Sequence, residues 1–282
     1  MSFIVSILSF IKEHFKALLF IAIIYWMFAP TSSEDLRPHN LQHINITGAI
    51  MQSDEIVEKL EKARTDNNIE GVLVTINSPG GAVAPSIEIA YAIKRLQKKK
   101  KVVVYGSSLL ASGGYYSAIW ADKIVANPGS MIGSIGVIIQ GFNAGELMSK
   151  IGVKTQVIKA GKYKQMGTAD REWTLYEREE LSKIVDGTYD LFIVDVAKAR
   201  NLKIEDASKF ANAKIFIASQ AKDVGLIDTI GVEYDAKLLV QKLSGVQEPI
   251  WNSEDKFDKI LNKLTAQSIS LIHTYFPAVT LK

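Results

Sequence analysis

The chain has 282 residues, 48% of them hydrophobic and 22% charged, a composition typical of a folded globular protein and not of a disordered one. A formal net charge of +3 is too small to indicate a nucleic-acid-binding protein, so we expect no nucleic-acid partner. The chain has no cysteine, which excludes disulfides, thiol nucleophiles and thiolate metal sites, and its four histidines lie in the first 43 residues or near the end. We therefore expect neither a metal nor a cofactor.

The first feature along the chain is an uncharged apolar run at residues 17–29. It is short for a membrane span, which needs about 17–25 residues. The side chain of Lys16 can extend towards the headgroups, however, and Tyr25 and Trp26 suit the opposite interface. We therefore predict a membrane anchor over residues 1–32.

A cleaved signal peptide and a buried helix are the two alternatives for this segment. Met27 and Ala29 make a poor cleavage site, because signal peptidases favour small residues at both positions. Lys12 and Lys16 precede the apolar run, whereas Glu34, Asp35 and Arg37 follow it. The positive-inside rule then predicts a cytoplasmic N-terminus and places the bulk of the chain on the outer face of the membrane.

Strand and helix patterns alternate from residue 43 onward, and we expect residues 33–245 to form one folded domain. Strands are predicted at residues 43–50, 71–76, 102–105, 123–126 and 153–158. Helices are predicted at residues 53–63, 87–96 and 111–120, and a longer helix begins at Thr174 with a capping box to Glu177. This order predicts an α/β fold with mostly parallel strands.

Residues 246–282 form a predicted amphipathic tail. Phe257, Ile260, Leu261 and Leu264 recur at helical spacing, although Ser268 interrupts the stripe. The apolar face has three candidate partners: the chain's own domain, another subunit, or the membrane surface.

The first motif that suggests chemistry is the sequence NSPGG at residues 77–81, directly after the predicted strand at 71–76. Two glycines at a strand end let the backbone turn sharply and direct N–H groups into a cleft, where they can stabilise an oxyanion. Taken alone, such a turn is more often an ordinary loop.

A second glycine-rich turn, ASGGYY at residues 111–116, again follows a predicted strand. Small neighbours on both sides of Ser112 suit a nucleophile that a carbonyl carbon must approach closely, and the N–H of Gly113 is a natural oxyanion donor. The alternative role for Ser112 is that of a helix N-cap. The turn at residues 133–136 reads as an ordinary tight turn.

A serine nucleophile needs a base, because its hydroxyl is a weak nucleophile at neutral pH. No histidine lies in the middle of the chain, and His39 and His43 would have to fold back from the anchor-proximal segment. The loop at residues 159–164 offers Lys159, Lys162 and Lys164 instead. A lysine acts as a base only where burial lowers its pKa. Chemistry alone does not choose among these three lysines.

Taken together, the motifs resemble the short-form signal peptide peptidase A family, relatives of protease IV within the Clp-protease/crotonase fold. The similarity covers residues 43–245. It rests on NSPGG (77–81), ASGGYY (111–116), the following AD-x-I-x-A-x-P (121–128), GSIGV (133–137) and GKYK (161–164). The resemblance implies repeated β-β-α units with mostly parallel sheets.

By that resemblance, Ser112 is the nucleophile and Lys164 is the general base. Ser134 corresponds to the serine that orients the lysine, and the amides of Gly81 and Gly113 correspond to the oxyanion hole. The resemblance also implies an endopeptidase in the bacterial inner membrane that degrades cleaved signal peptides. It further implies a ring-like homo-oligomer whose sites are shared between subunits.

Two other functions compete with this one. A crotonase-type acyl-CoA enzyme shares the fold and the glycine-rich oxyanion device. It would normally use carboxylates as acid and base, and no acidic residue lies in either glycine-rich turn. The other rival is a non-catalytic scaffold that keeps the fold.

Overall fold

The structure is a computed structural model, and it describes residue 10, residues 12–21, residue 25 and residues 37–252. Residues 12–21 are helical. No helix within these described ranges is both long enough and apolar enough to cross a bilayer. Most of the predicted anchor at residues 1–32, and of the predicted tail at residues 246–282, lies outside the described residues, so both remain predictions.

The chain divides into two compact units, one from Ile44 to Gln247 and one formed by the residues on either side of it. In the second unit, Asn40 and Leu41 donate backbone hydrogen bonds to the carbonyl of Ile250, at 3.0 and 3.2 Å. The N–H of Asn252 donates to the carbonyl of Leu41 at 2.8 Å. The segments before and after the larger unit are therefore joined by a short parallel pairing.

Strands and helices alternate through most of the described chain. The strands are β1 (Leu41–Thr47), β2 (Gly71–Ser78), β3 (Lys101–Ala111), β4 (Lys123–Ala126), β5 (Met131–Gly133), β6 (Ile215–Ile217) and β7 (Thr229–Ile230). The helices are α1 (Asp54–Thr65), α2 (Val83–Gln97), α3 (Gly113–Ala118), α4 (Gly145–Lys150), α5 (Leu175–Arg200), α6 (Ala207–Phe210), α7 (Ala218–Asp223) and α8 (Glu233–Ser244).

The strands form one sheet in the order β1-β2-β3-β4-β7, with β5 beside the far end of β3 and β6 antiparallel to β5. β2 runs parallel to β3, and β3 runs parallel to both β4 and β5. Parallel neighbours require a crossover, which α2 provides between β2 and β3 and α3 provides between β3 and β4. Both crossovers begin at the carboxyl ends of the strands, and the glycine-rich turns lie at this edge of the sheet.

The core of the larger unit lies between this sheet and the helices. The first four residues of β2 are buried, as expected for a parallel strand that is covered on both faces. The core side chains include Val72, Val74, Ile76, Ile89, Ile93, Val102, Val104, Tyr115, Ile124, Phe192 and Val196.

The predicted α/β fold with mostly parallel strands is confirmed, and four of the five predicted strands lie on observed ones. The strand predicted at residues 153–158 is wrong: these residues are irregular and exposed. Their apolar–polar alternation suits a strand, but among the described residues no neighbouring strand pairs with them. The predicted capping box is present, since the Glu177 carboxylate accepts the N–H of Thr174 at 2.9 Å.

Candidate active site

Ser112 occupies the sharp turn between the end of β3 and the start of α3. Its backbone has φ 51° and ψ −125°, a conformation that non-glycine residues rarely adopt and that costs about 1–3 kcal/mol. The N–H of Ser112 donates to the carbonyl of Gly133 at 2.8 Å, and its carbonyl accepts the N–H of Tyr116 at 2.9 Å. The flanking strand and helix thus hold a strained serine at the sheet edge, as nucleophile-bearing turns do.

Gly80 packs directly against this serine. A Cβ on Gly80 would lie 3.0 Å from Ser112 Oγ and 2.5 Å from the nitrogen of Gly113, and its φ of 98° disfavours any side chain. Ahead of it, the side chain of Asn77 accepts the N–H of Leu109 at 3.2 Å, where the register of β2 and β3 shifts. Glycine is therefore required here because the two motif turns touch backbone to backbone.

The N–H of Gly81 takes no part in the backbone pairing of this residue with Ile50. Ile50 and Gly81 form an isolated parallel bridge, in which the N–H of Ile50 donates to Gly80 and the N–H of Ala82 donates to Ile50, both at 2.8 Å. This pattern leaves the N–H of Gly81 for another acceptor.

The N–H of Gly113 is available for a different reason. Gly113 is the first residue of α3, and the first N–H groups of a helix have no acceptor within it. A Cβ on Gly113 would lie 3.3 Å from the nitrogen of Gly81 and 2.2 Å from Ser86 Oγ. The two predicted oxyanion donors therefore lie side by side next to Ser112.

Ser134 lies next to Ser112, at the end of the neighbouring strand β5. Ala111 of β3 pairs with Gly133 of β5, so the residues that follow them, Ser112 and Ser134, leave the two strands together. Ser134 also has a positive φ, of 49°, and its N–H donates to the carbonyl of Lys214 at 2.7 Å. The turn at residues 133–136, which looks ordinary in the sequence, thus belongs to the site.

A cavity of about 570 Å³ opens in front of these residues. Ser112, Ser134, Gly81 and Gly113 all line it, so the structure brings together four of the five predicted site residues. The remaining wall is mostly apolar and includes Val83, Ile87, Tyr116, Val137, Ile138, Leu191 and Phe192.

The sequence interpretation missed the part of this wall that α5 supplies. The buried ring of Tyr116 packs against Phe192 with centroids 4.8 Å apart, and its hydroxyl donates to the buried carboxylate of Asp195. Burial, and then the hydrogen bond to Asp195, raises the pKa of Tyr116, so the hydroxyl stays protonated and keeps this bond at neutral pH. Tyr116 is within the ASGGYY motif, but no sequence pattern links it to α5.

Lys164, the fifth predicted residue, is placed differently. It lies in an exposed turn and lines a second cavity of about 520 Å³, together with Thr155, Val157, Ile158, Lys159 and Asp170. The described residues that line the serine cavity include neither Lys164 nor a histidine. Within one chain, therefore, the described lining of the serine cavity holds Ser112, the two amides and one carboxyl group, that of Asp186, but neither a lysine nor a histidine.

The three candidate lysines differ in their contacts. The ammonium of Lys162 lies over the ring of Tyr176, 4.4 Å from its centroid, and 5.3 Å from the centroid of Tyr163. A cation held over aromatic faces is less available as a base. Lys159 and Lys164 both line the second cavity, so the geometry disfavours Lys162 and leaves these two.

A strained serine beside two backbone amides, in an apolar cavity on a parallel α/β sheet, is the arrangement of a serine hydrolase. Comparison with known families gives the particular class. Residues 94–247, which contain Ser112, Ser134 and Lys164, match the model of peptidase family S49. Residues 39–132 match the Clp protease model, in agreement with the mostly parallel sheet.

Curated relatives agree with this assignment. A putative protease of Synechocystis is 40% identical over 207 residues, which cover 73% of this chain and 75% of the relative. A putative protease of Methanocaldococcus jannaschii is 42% identical, covering 69% of this chain and 61% of the relative. A putative signal peptide peptidase SppA of Enterococcus faecium is 37% identical, covering 63% of this chain and 52% of the relative.

The chain therefore belongs to peptidase family S49. It is a serine protease with a Clp-protease-like α/β fold, similar to SppA.

Proposed function

We propose that this chain is a membrane-anchored serine endopeptidase in which Ser112 is the nucleophile and Lys164 is the general base. The observation that carries the proposal is the position of Ser112 on a strained turn beside the free amides of Gly81 and Gly113. A hydroxyl held there approaches a bound carbonyl carbon while two N–H groups face the oxygen that becomes negative.

In the proposed mechanism, the Lys164 amine takes the proton of the Ser112 hydroxyl as its oxygen attacks the peptide carbonyl. The amides of Gly81 and Gly113 hold the resulting oxyanion. The protonated lysine then gives its proton to the leaving amine of the substrate. The lysine side chain, neutral again, activates a water molecule that hydrolyses the acyl-enzyme. Ser134, at the edge of the cavity, orients the lysine by a hydrogen bond.

We propose that Lys164 reaches the serine of a neighbouring subunit in a ring-like homo-oligomer. Two features support this: Lys164 lines a cavity separate from that of Ser112, and the intervening segment exposes large apolar side chains. Ile138 is 81% exposed, Phe142 is 82% exposed and Ile158 is fully exposed. Burial of such side chains stabilises subunit contacts.

The proposed substrates are signal peptides that remain after cleavage, in or near the inner membrane. The mostly apolar wall of the serine cavity supports this proposal, because the central part of a signal peptide is apolar. The similarity to a relative named signal peptide peptidase supports it too.

The proposed orientation in the membrane has its own test. A reporter fused after residue 282 should be active only outside the cytoplasm, and reporter activity in the cytoplasm would overturn the proposed orientation.

A peptidase assay of the full chain on an apolar peptide tests the assignment. We expect Ser112→Ala to reduce kcat by at least about 10³-fold, as loss of the nucleophile does in other serine proteases. Ser108→Ala, an exposed serine on the same strand, is the matched control and should keep full activity. Lys164→Met should be as inactive as Ser112→Ala, whereas Lys162→Met should be mild. An active Lys164→Met enzyme would refute the base assignment.

A further inference from the structure

The turn that carries Lys164 is fixed on its N-terminal side by an aromatic contact. Tyr163 packs edge-on against Tyr176, with centroids 5.6 Å apart, and the ammonium of Lys162 lies over the same Tyr176 ring. Tyr176 is the second residue of α5. The two residues that precede Lys164 are therefore attached to the first turn of this helix.

The C-terminal side of the same turn is held through Arg171. One of its terminal nitrogens, Nη2, donates to the carbonyl of Gln165 at 3.4 Å and to Glu177 Oε1 at 2.7 Å. The other, Nη1, donates to Glu177 Oε2 at 2.8 Å and to the carbonyl of Glu172 at 2.8 Å. The residue that follows Lys164 is thus connected through one guanidinium group to the first turn of α5.

Glu177 is a firm anchor for this guanidinium. Its side chain is fully buried, and its carboxylate also accepts the backbone N–H of Thr174 in the capping box. A bidentate pair between a guanidinium and a carboxylate is directional, and a buried carboxylate that keeps every partner is costly to displace. The exposed ion pair of Lys183 with Glu180 on the same helix has none of this support.

We propose that Arg171 is a positioning residue for the general base: with Glu177, it fixes the backbone on which Lys164 is presented to the serine. This inference rests on the proposed role of Lys164. The Lys164 side chain is exposed and its four-carbon stem is flexible, so the backbone that carries it sets the range within which its amine can lie. A displacement of about 1 Å of a catalytic group can cost about 10²-fold in rate.

Steady-state kinetics of the full-length enzyme tests the proposal. We expect Arg171→Ala to lower kcat by about 10- to 100-fold with KM changed less than about twofold, because the base acts only in the transition state. Arg171→Lys should restore part of the rate, since an ammonium group pairs with Glu177 but does not span both carboxylate oxygens and the Gln165 carbonyl. Lys183→Ala is the matched control and should leave kcat and KM unchanged.

Lys164→Met, assayed in parallel, separates the two hypotheses. If Lys164→Met is active, the proposed base is wrong and the positioning role fails with it. If Lys164→Met is inactive while a folded Arg171→Ala enzyme keeps wild-type kcat, or changes only KM, the positioning role alone is overturned.

A second variant is needed if circular dichroism or gel filtration shows that Arg171→Ala does not fold or assemble. Glu177→Gln then replaces it, because the amide oxygen still caps Thr174 while the charge that holds Arg171 is lost. A smaller fall in kcat at unchanged KM supports the proposal, and an unchanged kcat in this folded variant overturns it.

Discussion

The serine region at residues 71–136 and the lysine region at residues 151–174 are built in different ways. The serine region consists of buried parallel strands whose ends meet at one edge, where backbone hydrogen bonds hold Ser112 and the two glycine turns. The lysine region is irregular and mostly exposed, and it is attached to α5 through side chains. The proposed nucleophile and oxyanion hole are thus complete within one chain, whereas the proposed base lies on an exposed turn outside the serine cavity.

The two regions therefore place different requirements on their surroundings. Oxyanion donors must be fixed before the reaction begins, and main-chain amides at the ends of buried strands meet that requirement. A lysine base needs an apolar environment, which an exposed turn does not supply in a single chain. A neighbouring subunit that covers the turn would supply both the environment and the serine.

Among changes that keep both Ser112 and Lys164, the largest effect is expected at Gly81, where a substitution tests how rigid the serine region is. A Cβ at this position would lie 2.2 Å from the Ile50 carbonyl oxygen, so Gly81→Val must tilt the amide away from the oxyanion. Loss of one such donor typically lowers kcat by about 10²–10³-fold.

Kinetics together with circular dichroism measures this effect. Gly129→Ala is the control, because its nearest neighbour would be 3.6 Å from the added Cβ, an ordinary contact. Full activity of a normally folded Gly81→Val enzyme would break the assignment of the oxyanion hole.

A smaller effect is expected when acidic pH weakens the contact between Arg171 and Glu177, which holds the lysine region on α5. The hydrogen bonds from Arg171, and then from the N–H of Thr174, lower the pKa of Glu177 to about 2. The folded-state pKa is below the unfolded value of about 4.3, so this stabilisation is complete above the unfolded value and is lost as the pH falls towards 2.

Urea unfolding of the wild type and of Glu177→Gln between pH 7 and pH 3 checks this expectation. The difference in unfolding free energy should be constant at neutral pH and should narrow below about pH 4.5. A difference that stays constant down to pH 3 would show that the carboxylate does not stabilise the fold in this way.

The sequence predicts the serine region far better than the lysine region. Buried apolar runs followed by glycine pairs locate β2, β3 and both turns, since a parallel strand must be apolar on both faces. The alternation at residues 153–158 predicts a strand that is absent, because local pattern does not reveal whether a partner strand exists.

The contribution of α5 to the site is also hidden in the sequence. The bond between Tyr116 and Asp195 and the contact between Tyr163 and Tyr176 depend on how this long helix packs, which is a tertiary property. The capping box of Thr174 and Glu177 is readable locally, but the Arg171 side chain that completes it as an anchor is not.

Mixing two inactive variants tests the division of the site most directly. Ser112→Ala and Lys164→Met protomers are co-assembled in equal amounts, and peptidase activity is measured on an oligomer verified to contain both. If each site takes its serine and its lysine from neighbouring subunits, random assembly leaves about one site in four intact, so we predict about a quarter of the wild-type activity. An inactive mixed oligomer would contradict the account, because it would mean that the serine and the lysine must come from the same chain.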